Sequence, residues 1–221
     1  MTRLITFGCS CTYGHGLEDC IDLSNNRPGL TPSEYAWPNT LAKQLNYQCV
    51  NQSKPGASNL EILHHILNFK FEPTDLVVIL WTYPGRGTTF TKEIRGPNRE
   101  QYQSYGAWMT NMQVDGVDNI VEKWISCHTD HDLMIKSLIY IHHANSHLKN
   151  LSIQKYDFHV DLDLVYNEPE YLKVDRPYHK LLEYKVLDLA LDNSHAGIKS
   201  HQEYANNLYQ IINGKYLGST I

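Results

Sequence analysis

Leu4, Ile5 and Phe7 form a short apolar run that stops at Gly8 and gives way to small and polar residues through Gly16, which predicts a buried strand entering a tight turn and then a helix. Glu18 to Pro38 carries Asn25-Asn26, Pro28-Gly29 and Pro32 and reads as a long loop closed by Trp37-Pro38. Beyond Asn39, Leu41, Ala42 and Leu45 recur with helical spacing, and Tyr47 to Val50 predicts a short strand ending at Asn51. A polar loop from Asn51 to Asn59 leads into the amphipathic run Leu60, Ile62, Leu63, Ile66, Leu67, with Ser58 or Asn59 as its N-cap. Asp75 to Trp81 is a continuous, β-branched-rich run of the kind found when helices cover both sheet faces, and it predicts a central parallel strand.

Periodicity weakens from Gly87 to Asn119, and this part is expected to be an excursion over the strand's C-terminal edge, partly helical, with Tyr102, Tyr105 and Trp108 as aromatic faces. Ile120 to Lys149 has a helical pattern that includes Val121, Trp124 and Ile125, interrupted near His128 to Asp132. Leu151 to Asp163 reads as a strand, followed by a loop through Pro169 and Pro177. Leu181 to Leu191 fits helix or strand, and Ser200 to Ile212 is an amphipathic closing helix. Strands alternating with helices predict an α/β fold with parallel crossovers.

Composition narrows the function classes. The 221 residues are 42 % hydrophobic, enough to bury the core of one domain spanning residues 1–221, with an excursion at about 84–119. The net charge is −5 and the basic residues are scattered, so no footprint for a nucleic-acid backbone is expected. No apolar run reaches the roughly 18 residues of a membrane span, and no signal-peptide pattern opens the chain, so a cytoplasmic protein with no membrane partner is expected. Cys9, Cys11, Cys20, Cys49 and Cys127 are odd in number and irregularly spaced, which fits free thiols. Neither oligomeric state nor pathway is readable.

The candidate chemistry starts at Ser10. A serine at a strand-to-helix turn lifts its hydroxyl above the sheet edge and offers its own N–H to an anion, although a simple helix cap uses the same residue type. Gly56, just before a helix, has an N–H that fits an oxyanion donor as well as an ordinary turn. Asp192 stands three residues before His195, which suits a carboxylate orienting an imidazole. His143 and His147 have the spacing of paired metal ligands, with His128, His131 and His142 nearby, but nothing completes a motif and no metal site is expected.

Together these blocks resemble the SGNH hydrolases, the group that includes the GDSL-type esterases and lipases. Phe7-Gly8-Cys9-Ser10-Cys11-Thr12-Tyr13-Gly14 is similar to the family's first block, with Cys9 in place of its usual aspartate. Asn51 to Ser58 resembles the second block and Asp192-Asn193-Ser194-His195 the last. The third block departs: where the family has Gly-x-Asn-Asp, this chain has Trp81-Thr82-Tyr83-Pro84. The resemblance implies a three-layer α/β/α sandwich with a mostly parallel, flavodoxin-like sheet. It further implies a serine ester hydrolase or acyl transferase, with Ser10 as nucleophile, His195 as base, Asp192 as orienter and the N–H groups of Ser10 and Gly56 as the oxyanion hole. Thr82, Tyr83 and Arg86 are the candidates to replace the third-block asparagine or to contact substrate. No cofactor is expected, and the polar, aromatic excursion suits a small acyl group on a polar or carbohydrate substrate. A catalytically weak SGNH-fold protein that binds a carbohydrate-like ligand is the alternative.

Overall fold

The computed structural model describes residues 2–95, 100–106, 123, 124, 126–160 and 184–214, and for 90–95 and 100–103 the backbone alone. Strand β1 (Arg3–Phe7) runs into the one-turn helix α1 (Ser10–Tyr13), followed by a small hairpin of β2 (Ile21–Asp22) and β3 (Arg27–Pro28). Helix α2 (Trp37–Leu45), strand β4 (Gln48–Asn51), helix α3 (Asn59–Asn68) and strand β5 (Leu76–Trp81) come next. A second hairpin, β6 (Arg86–Arg95) and β7 (Glu100–Gly106), precedes helix α4 (Asp130–Asn150), strand β8 (Gln154–His159) and helix α5 (Ile198–Ile212).

Four strands form the central sheet in the order β4-β1-β5-β8, and every neighbouring pair is parallel. Alternation along each strand divides the core into two layers. Ile5, Phe7, Val77, Ile79 and Trp81 face Ile62, Leu63 and Ile66 of α3 and Leu138, Ile141, Ala144 and Leu148 of α4. Leu4, Leu76, Val78, Leu80 and Phe158 face Trp37, Leu41 and Ala42 of α2 and Tyr204, Ala205, Leu208 and Ile211 of α5. Because β5 is covered on both sides, all six of its residues are buried, which explains its unbroken apolar sequence. The chain moves from β1 outward to β4 and then back across β1 to β5, so the order reverses between β1 and β5. In open α/β sheets, that crevice at the C-terminal strand ends is where ligands bind.

Several expectations change. The stretch from Glu18 to Pro38 holds the β2–β3 hairpin, with Asn26 left-handed at φ 55°, and α2 starts at Trp37 because a proline in the first helical turn forfeits only an N–H that has no helical partner. The described part of the excursion is an antiparallel hairpin, not helix: Arg86 pairs with Gly106 and Phe90 with Tyr102. A register shift between Phe90 and Arg95 interrupts the two-residue period, which accounts for the weak pattern. Residues 184–191 are neither helix nor strand apart from one bridge, Leu189 to Ala196, and Val186, Leu187, Leu189 and Leu191 are exposed. Trp108, Val121, Ile125, Pro169, Pro177 and the start of the stretch at Leu181 lie outside the described residues. No helix among the described residues is long and apolar enough to cross a membrane.

The packing of α5 on α2 includes a titratable joint. His201 is buried, and its Nδ1 accepts the backbone N–H of Trp37 at 3.1 Å, one of the unpaired donors at the start of α2. Burial pushes its pKa down to about 4. A proton on Nδ1 would destroy the acceptor, so folding requires the neutral ring. The stabilisation is therefore complete above the unfolded histidine value near 6.5 and is lost as pH falls through about 4, for a total of about 3 kcal/mol. Urea denaturation at pH 7 and pH 4.5 should show this loss, and His201→Asn, which keeps an acceptor near the Nδ1 position but cannot titrate, should flatten it.

Candidate active site

The switch point between β1 and β5 gathers the Ser10 turn, the Gly56 loop and the start of β6. β1 ends at Phe7, and Gly8 lets the turn pass, because a Cβ there would collide with the Thr12 hydroxyl. Cys9 is the residue before α1 and makes no side-chain cap. Ser10 is the first helical residue and is 6 % exposed, so it does not act as the cap. Thr12 and Tyr13 donate their N–H groups to the Cys9 carbonyl, whereas that of Ser10 has no partner among the described residues. The Ser10 hydroxyl lies beside the Cys11 thiol. The contact with the Cys9 thiol, followed by burial, pushes the Cys11 pKa well above its ordinary value, so Cys11 is not a ready thiolate.

β4 delivers the second element. Asn51 donates from Nδ2 to the Thr12 carbonyl at 2.9 Å, and Lys54 N–H donates to the Gly8 carbonyl at 3.1 Å, which fastens this loop to the Ser10 turn. Ala57 N–H then closes onto the Lys54 carbonyl at 3.1 Å, with Pro55 and Gly56 as the central pair. Gly56 has φ 77°, which a type II turn demands at its third position and glycine supplies without strain. The Gly56 N–H has no partner among the described residues. Ser58 caps α3 by accepting Glu61 N–H at 3.2 Å, and its hydroxyl contacts that of Thr88 at 2.5 Å, tying the β6–β7 hairpin to the same loop.

At the end of β5, Asn59 takes both backbone groups of Thr82: Nδ2 donates to the carbonyl at 3.0 Å and Oδ1 accepts the N–H at 2.9 Å. Thr82 is buried, its backbone is committed, and its hydroxyl lies against the Cys9 thiol. Tyr83 is half exposed, with the Arg86 guanidinium over its ring at 5.3 Å. Arg86 also reaches the Ala57 carbonyl at 3.4 Å, and its charge acts on both Cys9 and Cys11. Of the three third-block candidates, Arg86 is therefore the one whose charge stands between the Gly56 loop and the Ser10 turn. It also lines a cleft of about 100 Å³ with Leu60, Thr88, Trp124, Lys136 and Tyr140.

The remaining pair comes from the loop before α5. Asp192 accepts the N–H groups of Ser194 and His195 on Oδ1, both at 3.0 Å, and the His195 Nδ1–H on Oδ2 at 2.5 Å. Burial raises the Asp192 pKa, but the His195 N–H, the His195 ring and the Ser194 N–H outweigh it and hold the carboxyl well below the usual carboxylate range. The loop docks on the turn that follows α1: Leu191 N–H donates to the Gly16 carbonyl at 2.9 Å, and the His195 and His15 rings lie 4.5 Å apart. His15 N–H in turn donates to the Ser10 carbonyl at 3.2 Å. The structure thus joins Asp192 to His195 and sets both beside the Ser10 turn, while no direct hydrogen bond links His195 to the Ser10 hydroxyl.

Gly16, His15 and Asn59 are structural contributors that motif spacing does not reveal. Gly16 has φ 92°, and a Cβ there would lie 2.8 Å from the Asp192 carboxylate, so its side of the turn is shaped to receive that group. The only sequence signal for it is a second glycine two residues after Gly14.

No protein-family model matches the chain, and no curated protein matches it in sequence. Solved structures match it over almost its whole length. One is a carbohydrate esterase whose active site displays divergent catalytic and non-catalytic binding functions, at TM-score 0.61 and 12 % identity over 97 % of this chain and 69 % of that one. The acetyl xylan esterase Est2A of the rumen bacterium Butyrivibrio proteoclasticus matches at 0.55 and 15 % over 96 % and 64 %, and TesA at 0.51 and 14 % over 97 % and 99 %. The chain has the SGNH-hydrolase fold. It spans about two thirds of the length of the two carbohydrate esterases. In this fold the Ser10 turn follows β1, the Gly56 turn follows β4 and the Asp192-His195 loop precedes α5, in the order of the sequence blocks.

Proposed function

We propose that the protein is a serine ester hydrolase that removes a small acyl group from a carbohydrate-like substrate. The observation that carries the reading is the convergence at one switch point of a buried serine, two unpartnered N–H groups on Ser10 and Gly56, and an Asp192-His195 pair docked on the serine's own turn. Ser10 Oγ attacks the ester carbonyl as His195 Nε2 takes its proton, and Asp192 holds the Nδ1–H tautomer that leaves Nε2 free to accept. The tetrahedral oxyanion lies between the N–H groups of Ser10 and Gly56. His195 then protonates the departing sugar oxygen, and water repeats the sequence to release the acid. Catalytic hydrogen bonds are commonly long before substrate arrives, and the gap between His195 and Ser10 closes when the substrate fills the site.

Arg86 takes the place of the missing asparagine as the third oxyanion donor. Arg86→Ala is expected to lower kcat about 100-fold with little change in melting temperature, as loss of one oxyanion donor does elsewhere. Arg86→Lys should recover only part, because a point charge does not reproduce the guanidinium fork. The cleft beside Arg86 offers Trp124 and Tyr140 as faces for a sugar ring. Support for the substrate class also comes from the carbohydrate and acetyl xylan esterases among the structural neighbours. Reaction with a fluorophosphonate probe, mapped by mass spectrometry, tests the assignment: modification at Ser10 and at no cysteine is expected, and an unmodified Ser10 in folded protein rejects it.

A further inference from the structure

We propose that His15, Asp192 and His195 form a binding site for a divalent transition-metal ion of the zinc class, and that occupancy silences the hydrolase. Among the described residues this is the group of three side chains whose potential ligand atoms all lie within 4.8 Å of one another. Two imidazoles and one carboxylate suit zinc, which takes nitrogen and oxygen ligands and accepts water in a remaining position. Asp192 and His15 present donor atoms in the form a metal needs, and His195 does so once its proton moves from Nδ1 to Nε2. Asp192 is held ionised by the bonds it accepts from the 194–195 backbone and from the His195 ring. His15 Nε2–H donates to the Asn26 carbonyl at 3.1 Å, which fixes the tautomer and leaves Nδ1 with its lone pair. That is the outer-shell contact by which ligand histidines are usually oriented.

On metal entry the His195 proton leaves Nδ1, which bonds Asp192, and the ring takes one back on Nε2, so the imidazole stays neutral and no net proton is released. The metal then holds both residues, so Asp192 no longer orients the ring and His195 no longer serves Ser10. The inhibitory consequence rests on the hydrolase reading above, whereas the binding rests on the three side chains alone. The ligands are far apart in the chain, so no motif spacing exposes them.

The test adds zinc sulfate to the full chain and measures affinity by competition with a chromophoric chelator. One equivalent should bind to wild type, and His15→Asn and His15→Gln should each bind about 10-fold more weakly or worse. Ser10→Ala should bind zinc as wild type does. Acetyl-ester hydrolysis should fall on titration with zinc and return with EDTA, and His15→Asn should need about 10-fold more zinc for the same fractional loss relative to its own zinc-free rate. Equal zinc affinity in wild type and both His15 variants overturns the site. So does a cobalt-substituted protein with an intense thiolate charge-transfer band, which would put the metal on cysteine. His15-dependent binding in a protein without esterase activity removes the hydrolase reading and keeps the site. Ser10 labelling with His15-independent zinc binding does the reverse.

Discussion

On the proposed mechanism, Ser10→Ala is expected to abolish ester hydrolysis and leave the protein folded, with kcat down by about 10⁴-fold or more and the melting curve in place. The size follows from the absence of a second nucleophile. Cys9 is fully buried, and the Cys11 thiol is pushed well above its ordinary pKa, so neither replaces a missing serine hydroxyl. The small effect on stability follows from what the hydroxyl does not do. Helix α1 has no side-chain cap, and the Ser10 hydroxyl only lies beside the Cys11 thiol, a contact worth about 1 kcal/mol or less. Steady-state hydrolysis of 4-nitrophenyl acetate alongside thermal denaturation checks both halves. Activity within tenfold of wild type would sink the assignment of Ser10.

Asp192→Asn gives the second large effect, about 10⁴-fold in kcat, for a different reason. The amide oxygen still accepts the N–H groups of Ser194 and His195, so the loop keeps its shape. The amide N–H₂ now faces His195 Nδ1, which must become an acceptor, and the ring proton moves to Nε2, where it blocks removal of the Ser10 proton. The substitution also has a pH signature. The folded-state pKa of Asp192 is depressed, so its stabilisation is present above the unfolded value near 4 and is lost as pH falls below that. Denaturation of wild type and Asp192→Asn at pH 7 and pH 3 should show the variant losing less on acidification. The His201 window lies higher, between about 6.5 and 4, so the two groups separate along one pH series. An Asp192→Asn variant with near-normal kcat would show that His195 does not depend on this carboxylate.

Elements whose burial follows one simple period were legible in the sequence. β5, covered on both faces, reads as an unbroken apolar run, and α3 shows its cap and its apolar stripe together. The β6–β7 hairpin was not legible, because the register shift after Phe90 breaks the alternation that would have announced it. The segment 184–191 misleads for the opposite reason: its leucines and valine look like core positions but face outward, so their spacing reports no packing. At the site, Ser10, Gly56, Asp192 and His195 stand out as residue types in motif order. Asn59, His15 and Gly16 do not, because each matters through a backbone or ring that only the folded chain brings near. Asn59 looks like a cap and instead completes the end of β5.

The loop that carries Asp192 and His195 is closed on itself. Ala190 N–H donates to the His195 carbonyl at 2.9 Å and Gly197 N–H to the Asp188 carbonyl at 2.8 Å, while the Asp188 carboxylate gathers the N–H groups of Lys199 and Ser200 at the start of α5. Such a segment behaves as a cassette. It travels with the first turn of α5 and meets the Ser10 turn through Gly16 and His15. Exchanging residues 188–200 as a block with the matching piece of another protein of this fold should therefore transfer the base and its orienting acid intact, with fit at the Gly16 contact deciding whether the hybrid works.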